Sequence, residues 1–555
     1  MRRSSPSFDR KNTAGPRCFR RGPLVHRRRR LRMVRRVVVV GSGGAGLTAA
    51  LAARQAGAEV VVLSKTKVGI ANCTAYAGGY FSLASGAVPP REHFDRVMKT
   101  GRFVNDPRLV EILSEEGEGA LETLAQWGVT ISLQDGRASV RRSAPSAVMG
   151  GAGLTEELAR AGRDAGVVFF DDVVATRIRT GERGVEGVEF VHWRTGKAAA
   201  LECSSLILAS GGGGRIYERT DNPARMTGDG YALALEAGLD LIDMEYVQFY
   251  PLGWDHPGFP LWMVGLGVID SIPLTDEGGR EFLLEAVRSW GYRDGGEANL
   301  FARDKTSRLL AQHLRAGGKA LLHLEKMGDE DLIKPDVRAA ISMDLPPERR
   351  GVPVAMSPLE HYFCGGVPID GEGRTSLPGL YACGEVTGGV DGASRMGGNA
   401  LTNIVTFGLR AGRTAAAEAR ETPGTGATER ALPREFAEGE ADPAEARGAL
   451  QAIVQRGLGP CRNGEELKGT AADLEAWRRS RTSTDAGSPL KLLHALELKG
   501  LFRTAEAVAA SALLRCESRG AHFRDDYPEE RAEWRRVIRV SLKDGGAVAR
   551  AGEAR

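Results

Sequence analysis

Gly41-Ser42-Gly43-Gly44-Ala45-Gly46 spaces three glycines as G-x-G-x-x-G, directly after the apolar run Val37-Val38-Val39-Val40. This pattern suits dinucleotide binding. The first glycine allows a tight turn, the second lets the backbone approach a pyrophosphate, and the third permits close helix–strand packing. The helix that follows offers free N–H donors and a positive dipole end to the phosphates. About twenty residues on, a carboxylate commonly takes the ribose hydroxyls, but Ser64 and Lys65 stand there. A serine can bond a ribose hydroxyl without the strength of a charge-assisted bond, which weighs against NAD. The 7 cysteines, at 18, 73, 203, 364, 383, 461 and 516, contain no CxxC pair. Neither a zinc site nor an iron–sulfur cluster is expected, and the thiols are expected to be reduced.

The elements that must position this turn follow from the pattern around it. Val37–Val40 reads as a strand at the centre of a parallel sheet, Leu47–Gln55 as a helix, and Val60–Leu63 as the next strand. Strands and helices alternate through Leu206–Leu208, which runs into the glycines at 211–214. A chain of 555 residues needs two or three domains. The pattern predicts an α/β, Rossmann-like domain from 33–251 and 351–418. Residues 252–350, with Trp254, Trp262 and Trp290, read as an inserted domain, 419–443 as a linker, 444–528 as a helical domain and 529–555 as a charged tail.

Residues 1–32 are basic, with the run Arg27–Arg30 and the single acid Asp9, and are expected to be a disordered extension. They lack the apolar stretch of a secretory signal. The net charge of +4 comes largely from this segment, so no nucleic-acid surface is indicated. No run reaches 18 apolar residues, so no membrane span is expected. The expected location is cytoplasmic, free or peripheral at the inner face of a membrane.

Further segments carry a specific resemblance. They are Val62–Lys65, Thr74-Ala-Tyr-Ala-Gly-Gly79, Met226-Thr-Gly-Asp-Gly230, Asp243-Met-Glu-Tyr-Val-Gln248, His361-Tyr-Phe-Cys-Gly-Gly366, Gly379–Glu385, Gly392–Leu401 and Arg515–Pro528. In that order, and spanning most of residues 35–528, they resemble the flavoprotein subunits of succinate dehydrogenase and fumarate reductase, a family that includes L-aspartate oxidase. The resemblance implies FAD as cofactor and the inserted domain as a cap over the flavin. It implies cofactor contacts at the glycine turn 41–46 and at Ser64, Lys65, Thr74, Gly78 and Gly79. Asp229 and Glu385 would hold ribityl or ribose hydroxyls. Asn399, Ala400 and Leu401 would direct a helix N-terminus at the flavin ring. Arg395 and His361 match carboxylate-binding positions, and Arg303 matches the proton-transferring arginine. The implied reaction is hydride exchange between flavin N5 and the C–C bond of a C4 dicarboxylate such as fumarate or succinate. A separate iron–sulfur protein would be the electron partner.

Three positions depart from the family. Cys73 stands where the respiratory members carry a flavin-linked histidine, so the FAD is expected to be non-covalent. Tyr250 replaces a substrate-binding histidine and would offer a neutral hydroxyl to one carboxylate. Met263–Ile272 (MVGLGVIDSI) replaces a segment rich in Glu and Arg that lies in the usual proton relay. L-Aspartate oxidase is the second reading. The stretch Arg137–Val148, where an acid for the ammonium group is expected, is basic and holds none. Reduction of another unsaturated acid and a non-enzymatic flavin scaffold are the remaining alternatives. The retained Arg303, His361 and Arg395 argue against the scaffold.

Overall fold

Val37, Val38 and Val39 are fully buried, because the strand Met33–Val40 lies inside a sheet covered on both faces. In this computed structural model the parallel order is Leu380–Ala382, Ser205–Leu208, Met33–Val40, Glu59–Leu63 and Val168–Phe170. The described residues are 33–141, 149–328, 330, 331, 351–432, 439, 441–480 and 484–555. The basic segment 1–32, residues 142–148 of the acid-free stretch and residues 332–350 lie outside them.

Two helices cover the centre of the sheet, Gly44–Gln55 and Asn399–Glu418. Gly408 and Gly412, one turn apart, let them pack backbone to backbone. A Cβ on Gly412 would stand 2.3 Å from the carbonyl oxygen of Ala49. Both helices are capped by glycine, Gly43 and Gly398, with no side-chain cap. Apart from Gly44 N–H, donated to the Thr74 hydroxyl, and Asn399 N–H, donated to the Met396 carbonyl, their first N–H groups are left for another acceptor.

The strands Val247–Trp254 and Pro353–Phe363 pair antiparallel and carry the chain into and out of the inserted segment. Leu321–His323 and Leu274–Thr275 extend that sheet. The helices Phe282–Ser289, Gly295–Phe301 and Arg303–Arg315 pack on a separate apolar core that includes Leu252, Trp254, Leu266, Val268 and Leu283. The result is an α+β cap. The ladder is irregular between Gln248 and Phe249 and again between Tyr250 and Gly253. Such irregularities re-aim side chains near functional sites.

The C-terminal helical domain comprises Pro443–Gly457, Gly464–Arg479 and Pro489–Leu514. Leu498, Leu501 and Ala505 of its last helix share one core with Leu206, Leu208 and Tyr231. The stretch expected as a linker contributes two strands, Glu421–Pro423 against Met33–Arg35 and Thr428–Arg430 against Ala198–Ala200. The charged tail forms a hairpin, Arg536–Lys543 with Gly546–Ala554, whose first strand pairs with Leu241–Ile242.

Candidate active site

The glycine turn is held by backbone on both sides. Gly41 has φ +112°, and a Cβ there would lie 2.2 Å from the Ala209 carbonyl oxygen. A Cβ on Gly46 would lie 2.1 Å from the Gly41 carbonyl oxygen. At Gly43 a Cβ would stand in ordinary contact with Asn72, 3.6 Å from its Oδ1, so no backbone crowds this glycine. Beside Gly43 the Nδ2 of Asn72 is buried and has no acceptor among the described residues. A glycine turn leading into a helix N-terminus, with an unpaired buried donor beside it, fits a dinucleotide's phosphates. Asn72 was not picked out by sequence. Its carbonyl oxygen caps the short helix Cys73–Tyr76 by accepting from Ala75 N–H, and only the fold brings its amide to Gly43.

The remaining cofactor candidates divide by what already engages them. Ser42 and Ser64 share a hydroxyl–hydroxyl bond of 2.6 Å. The Thr74 hydroxyl accepts from Gly44 N–H. Ala45 lies against Gly384, where a Cβ would approach it to 2.7 Å. Gly79 (φ +83°) allows the backbone of Gly150 to pass beside it, and Gly78 lies against the Tyr80 ring. Lys65 turns to Asp229 at 2.6 Å, and also reaches Thr227, the Arg225 carbonyl and Glu497. Lys65 and Asp229 thus form one unit at the start of the helix Asp229–Glu236. Glu385 accepts from Phe363 N–H, and burial pushes its carboxyl up to about 7. Asn399 and Leu401 are buried at the start of the second uncapped helix, with Ala400 between them.

A second cluster lies where cap and sheet domain meet. Arg303 begins the helix Arg303–Arg315 and is buried. Its Nε donates to the Asn299 carbonyl (2.8 Å) and side-chain oxygen (3.2 Å), and its guanidinium lies 5.0 Å from the centre of the Tyr250 ring. It does not pair with its neighbour Asp304, which faces Arg102 at 3.4 Å. Burial first, and then the Arg395 charge, bring the Arg303 guanidinium down to about 10. Arg395 lies over the Tyr362 ring at 4.3 Å, and its Nη2 is 3.1 Å from His361 Nε2. His361 Nδ1 is 2.7 Å from Asp221 Oδ2. The Arg303 Nη1 and Arg395 Nε are buried without an acceptor among the described residues.

Tyr250 is brought into this cluster, but its hydroxyl has other partners than the expected carboxylate. The hydroxyl donates to Asn299 Oδ1 at 2.6 Å and accepts from Leu266 N–H at 3.1 Å. Tyr250 therefore ties the sheet domain to the cap and steadies the residue that anchors Arg303. Tyr250→Phe leaves the Leu266 N–H unsatisfied and loosens Asn299, a loss of roughly 1–3 kcal/mol. We expect kcat to fall by about tenfold for each 1.4 kcal/mol of that loss that reaches the transition state, with KM for the acid nearly unchanged. Steady-state kinetics separates the two, and a change confined to KM would return Tyr250 to substrate binding.

The segment Met263–Ile272 fills the cap core with Val264, Leu266, Val268, Ile269 and Ile272. Its one acid, Asp270, accepts from Gly295 and Gly296 N–H at the start of the helix that carries Asn299. Packing and capping have taken the place of charged relay groups there. Cys73 donates to Asn222 Oδ1 at 3.2 Å, and burial followed by Glu385, Asp221 and Glu360 holds its thiol well above the ordinary range. A thiol so held is a poor nucleophile.

Known proteins match this arrangement along most of the chain. The FAD binding domain family matches residues 36–401, and the fumarate reductase flavoprotein C-terminal family matches residues 447–548. One component of the fumarate reductase (CoM/CoB) of Methanothermobacter marburgensis is 34% identical over 541 residues, covering 91% of this chain and 97% of that protein. The L-aspartate oxidase of Streptomyces coelicolor is 30% identical, covering 92% of each chain. Among solved structures, the E. coli quinol fumarate reductase FrdA superposes with a TM-score of 0.80 at 25% identity, covering 93% of this chain and 96% of that one. The chain belongs to the fumarate reductase and succinate dehydrogenase flavoprotein family. It is an FAD-dependent oxidoreductase acting on a C–C bond.

Proposed function

We propose that this flavoprotein interconverts fumarate and succinate, or a closely similar C4 dicarboxylate pair. One observation carries the reading: two buried guanidinium groups, Arg303 and Arg395, each keep a nitrogen without an acceptor among the described residues, at the junction of cap and sheet domain. Burying a cation unpaired is costly, and a carboxylate fits a guanidinium fork bidentately. In this reading Arg395 and His361 bind one carboxylate, and closure of the cap excludes water. Arg303, already lowered by burial, transfers the proton to or from the substrate carbon. FAD, held at the two uncapped helix ends, supplies the hydride chemistry when bound. Among the described residues no group of three or more His, Cys, Asp or Glu could hold a metal ion. A separate iron–sulfur protein is the electron partner we propose. Among the described residues no helix is long and apolar enough to cross a membrane.

The test is turnover of the purified protein with reduced viologen and a panel of acids. Fumarate should be reduced and its methyl monoesters should be poor substrates. Oxidation of L-aspartate by oxygen without fumarate reduction would overturn the proposal. The state of Cys73 yields a second expectation: acid precipitation should release all the FAD. Flavin fluorescence remaining on the denatured band in a gel would show a covalent link instead.

A further inference from the structure

The hydrogen bonds around His361 fix its protonation state. An arginine nitrogen can only donate, so at 3.1 Å from Arg395 Nη2 the Nε2 of His361 must accept. Its proton therefore sits on Nδ1, where it is donated to Asp221 Oδ2 at 2.7 Å. In this form His361 is neutral and has nothing to donate to a substrate carboxylate. We infer that Asp221 is a positioning residue that lets His361 take up a proton when the dicarboxylate binds, so that substrate binding is coupled to proton uptake. This rests on the dicarboxylate reading above.

Charge balance supports it. Counting the groups that contact His361 or the substrate position, Arg303, Arg395 and Asp221, the empty site carries one net positive charge, and a dianion would leave it with one net negative charge; Arg215 is a further cation beside Asp221. A proton on His361 Nε2 restores the balance and makes that nitrogen a donor to the carboxylate, while Arg395 turns to the same group. Asp221 is the partner that stabilises the resulting imidazolium through Nδ1. Without substrate, burial first and then the Arg395 and Arg303 charges hold His361 below the ordinary imidazole range, with Asp221 opposing them.

The other ionisable groups facing the pair are few. Tyr250 from the neighbouring strand presents its ring at 5.3 Å. Glu360, next along the strand, is fully buried, accepts from the Thr220 hydroxyl, and is pushed by burial well above the carboxylate range. Glu385, Cys73 and Arg215 also lie near Asp221, and Tyr362 lies beneath Arg395. Of these, Glu385 has a carboxyl near 7 and could also give binding a pH dependence. It stays in place when Asp221 is changed, so an Asp221 variant separates the two sources.

Affinity linked to uptake of one proton falls about tenfold per pH unit between the free and bound pKa values. The experiment is calorimetric titration of fumarate into the oxidised holoenzyme between pH 6.5 and 8.5, in buffers of different ionisation enthalpy. We expect nearly one proton taken up near pH 7.5, and Kd rising about tenfold per pH unit. In Asp221→Asn the amide oxygen still accepts from Nδ1, but uptake should vanish and the pH slope should flatten. Asp221→Glu should restore part of both. FAD content and the melting curve verify that each variant is folded. Binding without proton uptake, or undiminished uptake in Asp221→Asn, overturns the role of Asp221 and leaves the dicarboxylate reading standing. Failure of fumarate to bind at any pH overturns both.

Discussion

Arg303→Lys should lower fumarate turnover by about a thousandfold while FAD content stays unchanged. Loss of a positioned proton donor typically removes 10²–10⁴ of rate, and about the middle of that range applies here. Three contacts hold the guanidinium: two bonds from Nε to Asn299, and the face of Tyr250. Lysine keeps a charge but has no Nε donor at that position and no planar fork. Its ammonium would end short of the site and, buried beside Arg395, would be pushed toward its neutral form. Its hydrogen bonds go to Asn299 of the cap, and its Nη2 comes near Gly397 rather than the glycine turn 41–46, so cofactor content should be spared. Steady-state kinetics on protein of verified flavin content provides the measurement. Turnover within a few-fold of the parent would show that another group moves the proton.

Gly41→Ala should abolish FAD binding and most of the folded yield. Two effects combine. The residue sits at φ +112°, where an alanine is strained by roughly 1–2 kcal/mol. A Cβ would also stand 2.2 Å from the carbonyl oxygen of Ala209, at the end of the neighbouring central strand, so backbone must move. That strand pairs at Val40–Leu208 in the middle of the sheet and cannot shift without disturbing Val37–Val40. Gly57→Ala is the control: φ is +91°, but nothing lies within 4 Å of the added Cβ, so only the strain applies. We expect Gly57→Ala to melt a few degrees lower with full flavin, and Gly41→Ala to be recovered, if at all, without flavin. Equal behaviour of the two would mean that the close approach to Ala209 is relieved cheaply.

Local patterns made much of the fold legible. Val37–Val40, the glycine turn and the helix after it are encoded within a short stretch of chain, because turn geometry and burial on both faces restrict which residues can stand there. The tail 529–555 was less readable. Arg536–Lys543 buries Val537, Ile538 and Val540, but its pairing depends on the distant strand Leu241–Ile242. The strands inside the stretch expected as a linker likewise exist because a sheet edge was waiting for them.

The chemistry divides in the same way. By itself the sequence pointed to a dinucleotide at its glycine turn, and by resemblance to which arginines and histidine to watch. Only the tertiary structure decided what those groups are bonded to. It committed the Tyr250 hydroxyl to Asn299 and Leu266, joined Lys65 to Asp229, and set Asp221 behind His361. It also converted Met263–Ile272 from an apparent gap in a relay into the packed floor of the cap. A motif reports which donors and acceptors a chain owns. Which of them remain free for a ligand is settled by competition among hydrogen-bonding partners far apart in sequence, and that competition is resolved only when the domains pack together.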